Sequence, residues 1–167
     1  SHMVVLIVAP PGSSIDSMES LKGRTIGVVG GAVNAKVVDA LTKEYDLASA
    51  KVVFKHLALT DVRQAVQSKQ VGALLVTIPL AEKYLSLVRG FFPLDHKKVP
   101  VLIPIDAAAA IAEGERAFES FDVLLGRRIR LDPEGLRMNA REAVSGAAGA
   151  VVLTGRSASP CCAPWQA

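Results

Sequence analysis

A pair of glycines, Gly30 and Gly31, separates an apolar, β-branched run at Thr25–Val29 from a segment with helical periodicity. A strand followed by glycines and a helix directs backbone N–H groups and the positive end of the helix dipole into one small space, which suits an anion. We therefore predict ligand contacts from Gly30, Gly31, Ala32 and Asn34. Two alternatives stay open, since glycines also serve tight turns that bind nothing and Asn34 is equally suited to capping the helix.

Polar residues follow two further predicted strands. Thr60 and Asp61 come after the strand at 51–58, and Thr77 and Pro79 close the strand at 72–78. The carboxyl ends of parallel strands meet at one edge, where open α/β folds bind ligands. We expect these four residues to extend the same site, although the preferred role of Thr60 or Asp61 is to cap the next helix.

The sequence gives little support for a catalytic or metal-binding site. His56 and His96 have no cysteine or carboxylate partner at the spacing of metal ligands. The adjacent pair Cys161 and Cys162 lies near the end of the chain, and no nucleotide-binding glycine motif or nucleophile–base pattern is present. We expect a binding protein and not an enzyme, with no cofactor and no metal.

The periodicity of the chain predicts an α/β fold, with an open, mostly parallel sheet and helices on both faces. The predicted helices cover 34–45, the residues after Thr60 or Asp61, 80–91 and 107–119, with Phe118 and Phe121 at the end of the last. The predicted strands cover 4–9, 25–29, 51–58, 72–78 and 99–105. The prolines of the last strand indicate an edge position or a departure from the sheet.

The net charge of +3 arises in the last forty residues, which contain six arginines, no lysine and three acids from position 127 onward. The remainder is neutral, which argues against nucleic acid as a partner. We expect residues 1–3 to be a tag remnant, 4–126 to be the functional lobe, and 127–167 to be an atypical tail that is non-native or partly disordered.

Several collinear segments carry a family resemblance. Residues 15–28 read IDSMESLKGRTIGV, which is similar to the I-x-S-x-x-D-L-K-G-K-x-I-G-V pattern that begins the second lobe of type II periplasmic solute-binding proteins. The glycine loop and asparagine at 30–35, followed by Leu41 and Tyr45-Asp46-Leu47, resemble the TAXI receptors of TRAP transporters. Segments 61–73 and 101–112 are also similar to that family. One lobe is present where such receptors have two, and the proline-bearing crossover expected after 123 is absent.

The resemblance implies a periplasmic receptor lobe that passes a small, carboxylate-bearing solute to membrane permease subunits. An ABC receptor of the sulfonate or thiamine-precursor kind, a sensory module of a signalling protein and an unrecognised small enzyme are the alternatives. A single lobe covers one side of a ligand, so we expect weak binding. We also expect the isolated lobe to form dimers or to exchange strands through 4–9.

Overall fold

The computed structural model describes residues 2–30, 34–79, 82–92, 100–103, 105, 107, 110–111, 118–124 and 147–154. The strands are β1 (His2–Ala9), β2 (Thr25–Val29), β3 (Val53–Leu57), β4 (Ala73–Pro79), β5 (Val101–Leu102), β6 (Phe118–Leu124) and β7 (Ala147–Thr154). The helices are α1 (Asn34–Tyr45), α2 (Val62–Gln67) and α3 (Glu82–Gly90), and a 3₁₀ turn covers Glu19–Leu21. The predicted bounds of α1 are confirmed.

The strands form one open, mixed sheet. β2 pairs in parallel with both β3 and β4, whereas β1 lies antiparallel to β4 and to β5. The strand order is β3-β2-β4-β1-β7-β6, with β5 also paired to β1, so five strands run in one direction and β1 and β6 run in the other. The predicted open, mostly parallel α/β sheet is confirmed.

Helices cover both faces of this sheet because successive side chains along a strand point to opposite faces. One apolar cluster joins Val28 and Leu75 to Val37 and Leu41 of α1. The other joins strand residues such as Val76 to both α2 and α3. β2 and β4 are buried except at Thr25 and Pro79, and they carry near-continuous apolar runs, as strands covered on both faces do.

Strand β1 lies inside the sheet and includes His2 and Met3, which the sequence assigned to a tag remnant. It pairs with β4 along one side and with β5 and β7 along the other. Strand exchange through 4–9 was expected, but a strand paired on both sides offers no free edge. β3 is one of the two edge strands of the described sheet, opposite β6, and its Val53 is 57% exposed.

Two predictions near the end of the lobe need correction. The predicted helix at 107–119 is wrong at its end, because Phe118 and Phe121 lie in β6, which pairs with β7 over its full seven residues. The alternation of Phe121 and Val123 with polar neighbours favours a strand. Of the strand expected at 99–105, the structure shows β5 at Val101–Leu102, and the preceding Pro100 cannot donate to the sheet. Residues 99 and 104 lie outside the described residues.

The tail predicted at 127–167 contributes β7 to the sheet, antiparallel to the first residues of β1. Its assignment as a separate, atypical segment stays a prediction. No helix among the described residues is both long and apolar enough to cross a membrane.

Candidate functional site

Three parallel strands end side by side at one edge of the sheet. The last residue of β2, Val29, pairs with Leu57 of β3 on one side and with Val76 of β4 on the other. Gly30 follows β2 directly, and α1 begins at Asn34. The sequence pattern therefore produces the expected strand–glycine–helix junction at the carboxyl edge.

Gly30 is required at this junction for two reasons. Its φ angle of +135° is a conformation that residues with a side chain rarely adopt. A Cβ placed there would lie 3.0 Å from Asn34 Nδ2 and 3.2 Å from the carbonyl oxygen of Thr77. The chain leaving β2 thus passes directly against the end of β4 and the first residue of α1.

Asn34 and Thr77 form a hydrogen bond across this junction. The Thr77 hydroxyl donates to Asn34 Oδ1 at 2.7 Å. Asn34 is 1% exposed and Thr77 is fully buried, and among the described residues they are the two polar side chains buried in the core. Since buried polar groups are costly unless they are paired, each residue supplies the partner that the other needs.

A cavity of about 420 Å³ opens at this edge, between the ends of β2 and β3 and the start of α1. Its described lining consists of Val28, Gly30, Asn34, Ala35, His56, Leu57 and Ala58. None of these residues is acidic. The polar residues of the described lining are therefore Asn34, which is buried, and His56, and they lie beside the glycine junction at Gly30.

The structure places the other predicted site residues elsewhere or leaves them outside its description. Gly31 and Ala32 lie outside the described residues. Thr60 and Asp61 are exposed, and the Thr60 hydroxyl donates to Asp61 Oδ1 at 3.3 Å. Neither residue belongs to the described lining of the cavity. Asp61 occupies the N-cap position of α2, as the sequence predicts, but its side chain makes no capping hydrogen bond. Pro79 ends β4, half-buried opposite Met3.

His56, Leu57 and Ala58 line the cavity but are not predicted from the sequence. In the sequence His56 is an isolated side chain, and a strand residue without a metal-ligand partner suggests no chemistry. The available indication was position: the end of β3 lies beside the end of β2, so its residues face the same junction. Among the described residues, no group of three metal-ligating side chains occurs.

A second cavity, of about 540 Å³, lies at the opposite edge of the sheet. Two cationic side chains, Arg24 and Lys69, contribute to its lining, together with Gln67 and Gly72. It contains none of the predicted site residues. Its position makes it an internal reference for binding experiments on the carboxyl-edge cavity.

Comparison with known proteins identifies the family. The family model described as "NMT1/THI5 like" matches residues 1–91, more than half of the chain. The chain belongs to the NMT1/THI5-like family. The matched part of this NMT1/THI5-like chain includes β1 to β4 and every described residue that lines the carboxyl-edge cavity. The narrower TAXI assignment stays a prediction.

A solved structure, "An ancestral arginine-binding protein bound to arginine", is similar to this NMT1/THI5-like chain at 22% identity with a TM-score of 0.41. The similarity covers 62% of this chain and 41% of that protein, so the chain spans about two fifths of its length. A search of curated proteins found no match.

Proposed function

We propose that the chain is a solute-binding lobe of an extracytoplasmic receptor, and that it binds a small, carboxylate-bearing solute at the carboxyl edge of its sheet. The observation that carries this proposal is the cavity between β2 and β3. It combines an amide, an imidazole and a glycine junction, and no acidic residue lies in its described lining. Membership of the NMT1/THI5-like family supports a binding role in preference to catalysis.

The cavity supplies contacts to one side of a ligand. Ligand sites of high affinity enclose most of the surface of a small molecule, and two-lobed receptors achieve this by hinge closure. A ligand in this cavity is covered by β2, β3 and α1 on one side only. We therefore propose that a facing lobe completes the site and that the described lobe binds weakly by itself.

Delivery to permease subunits, a periplasmic location and a TRAP transporter of the TAXI kind belong to this proposal. An ABC receptor is equally compatible with the family match. In either case the lobe needs neither a cofactor nor nucleic acid. A permease gene beside the parent gene would distinguish the two transporter types.

The binding proposal is tested by saturation-transfer NMR with glutarate as the probe and pentane-1,5-diol as its neutral counterpart. Glutarate is expected to receive saturation from the protein and the diol is not. The substitution Asn34→Asp should abolish the effect, because it keeps an oxygen for Thr77 and places a negative charge where the amide nitrogen was.

Gln67→Glu is the matched control, since it makes the same amide-to-carboxylate change beside the opposite cavity. It is expected to leave glutarate binding unchanged. Equal transfer to glutarate and the diol would contradict the proposal, and so would equal loss of binding in the two variants.

A further inference from the structure

The hydrogen bond between Thr77 and Asn34 joins two parts of the chain that are 43 residues apart. Thr77 belongs to β4, and Asn34 is the first residue of α1. Within the described core these are the two buried polar side chains, and they pair with each other. A pairing of this kind determines how each group is oriented.

The two ends of an asparagine amide are chemically opposite, because the oxygen accepts hydrogen bonds and the nitrogen donates them. Thr77 donates to the oxygen. The nitrogen then lies on the side of Gly30, 3.0 Å from the point where a Cβ would stand. Both Asn34 and Gly30 line the carboxyl-edge cavity. The end of the amide nearest the glycine junction is therefore the donor.

We infer that Thr77 is a positioning residue that sets the ligand preference of the cavity. By holding Oδ1 inside the core, it keeps Nδ2 directed toward the cavity side, so the cavity selects a carboxylate and rejects an ammonium group. A rotated amide would present an oxygen there and reverse this preference. This inference rests on the proposed function. Its addition is that Thr77 determines whether the cavity selects a negative or a positive group.

Two substitutions separate the hydroxyl from the rest of the side chain. Thr77→Val replaces the hydroxyl by a methyl group of similar volume, whereas Thr77→Ser keeps the donor. The measured quantity is the ratio of affinities for glutarate and pentane-1,5-diamine, titrated into the full chain. We expect Thr77→Val to lower this ratio about tenfold or more and Thr77→Ser to retain it, because the hydroxyl alone fixes the amide.

The orientation of the amide is also measured without ligand. In the wild-type chain, the nuclear Overhauser effect should connect the side-chain NH₂ protons of Asn34 to the α protons of Gly30. In Thr77→Val, this contact should weaken. Circular dichroism of each variant checks that the fold is retained.

The outcomes distinguish the inference from the function on which it rests. If the wild-type chain binds glutarate and Thr77→Val keeps the same selectivity, the positioning role is refuted and the binding proposal stands. If the wild-type chain binds neither probe, the binding proposal fails, and the ligand preference that rests on it fails too. The contacts of the Asn34 amide then report only how Thr77 orients the amide. Contacts from the NH₂ protons to Thr77, with none to Gly30, would overturn the inference.

Discussion

The substitution Gly30→Ala tests the geometry of the junction most severely. The φ angle of +135° at this position is accessible to glycine and strained for alanine, at a cost of about 1 to 3 kcal/mol. The new methyl group would also stand 3.2 Å from the carbonyl oxygen of Thr77, which belongs to the sheet and cannot move freely. Overpacking of this kind adds about 1 to 3 kcal/mol. We expect a total loss of roughly 2 to 6 kcal/mol in the free energy of unfolding.

Alanine substitutions at two other glycines separate the backbone strain from the steric overlap of the added methyl group. Gly23 has a φ angle of +71° and no atom within 4 Å of an added Cβ, so Gly23→Ala incurs backbone strain alone, of about 1 to 2 kcal/mol. Gly90 ends α3 without a positive φ and also has open space around it. Gly90→Ala should leave the stability unchanged or raise it by up to about 1 kcal/mol.

The measurement is urea denaturation followed by circular dichroism, with linear extrapolation to water for all three variants. The expected order of destabilisation is Gly30→Ala, then Gly23→Ala, then Gly90→Ala. If Gly30→Ala loses no more stability than Gly23→Ala, the close approach of β2, α1 and β4 at the junction is refuted.

Three further substitutions examine the rest of the lobe. Tyr45→Phe removes the hydroxyl oxygen that accepts the backbone N–H of Ala107 at 2.8 Å. Urea denaturation should report a loss of about 0.5 to 1.5 kcal/mol in the free energy of unfolding. Unchanged stability would contradict this contact. Gly27→Ala places a methyl group 2.7 Å from Leu57 Cδ1 and 2.9 Å from Leu74 Cδ2. Because those side chains have to move, the same assay should show a loss of about 1 to 3 kcal/mol in the free energy of unfolding. The sequence predicts that the isolated chain self-associates, and β3 is an edge of the described sheet. Val53→Lys adds a charge to this edge, where Val53 is 57% exposed, and light scattering should show less association of the variant than of the wild-type chain. Equal association would contradict a contact through β3.

Local pattern predicted the elements that build the junction. The apolar run at Thr25–Val29, the glycine after it and the helical spacing of Val37 and Leu41 are all short-range features, and both the strand and helix α1 lie where the sequence placed them. The alternation of strands and helices likewise predicted the mostly parallel sheet. In each case neighbouring residues carry the information, because hydrophobic periodicity reflects the burial of a single element.

Contacts between residues far apart in the chain could not be predicted from this local pattern. The types of Asn34 and Thr77 suggested ligand contacts, but their mutual hydrogen bond spans 43 residues and depends on how β4 meets α1. His56 lines the cavity because β3 pairs with β2, which the local sequence does not show. The helix expected through Phe118 failed for the same reason, since pairing with β7 determines the conformation of that segment.

The location of ligand binding tests the central claim most directly. The backbone amide resonances of the ¹⁵N-labelled chain are followed while glutarate is added at constant ionic strength. We predict perturbations at Gly30, Asn34 and Ala58, with a dissociation constant of roughly 1 mM or weaker, because one lobe covers one side of the solute. Perturbations confined to Lys69 and Gly72 at the opposite edge would contradict the account. Micromolar affinity for the chain alone would contradict the proposal that the cavity is half of a site.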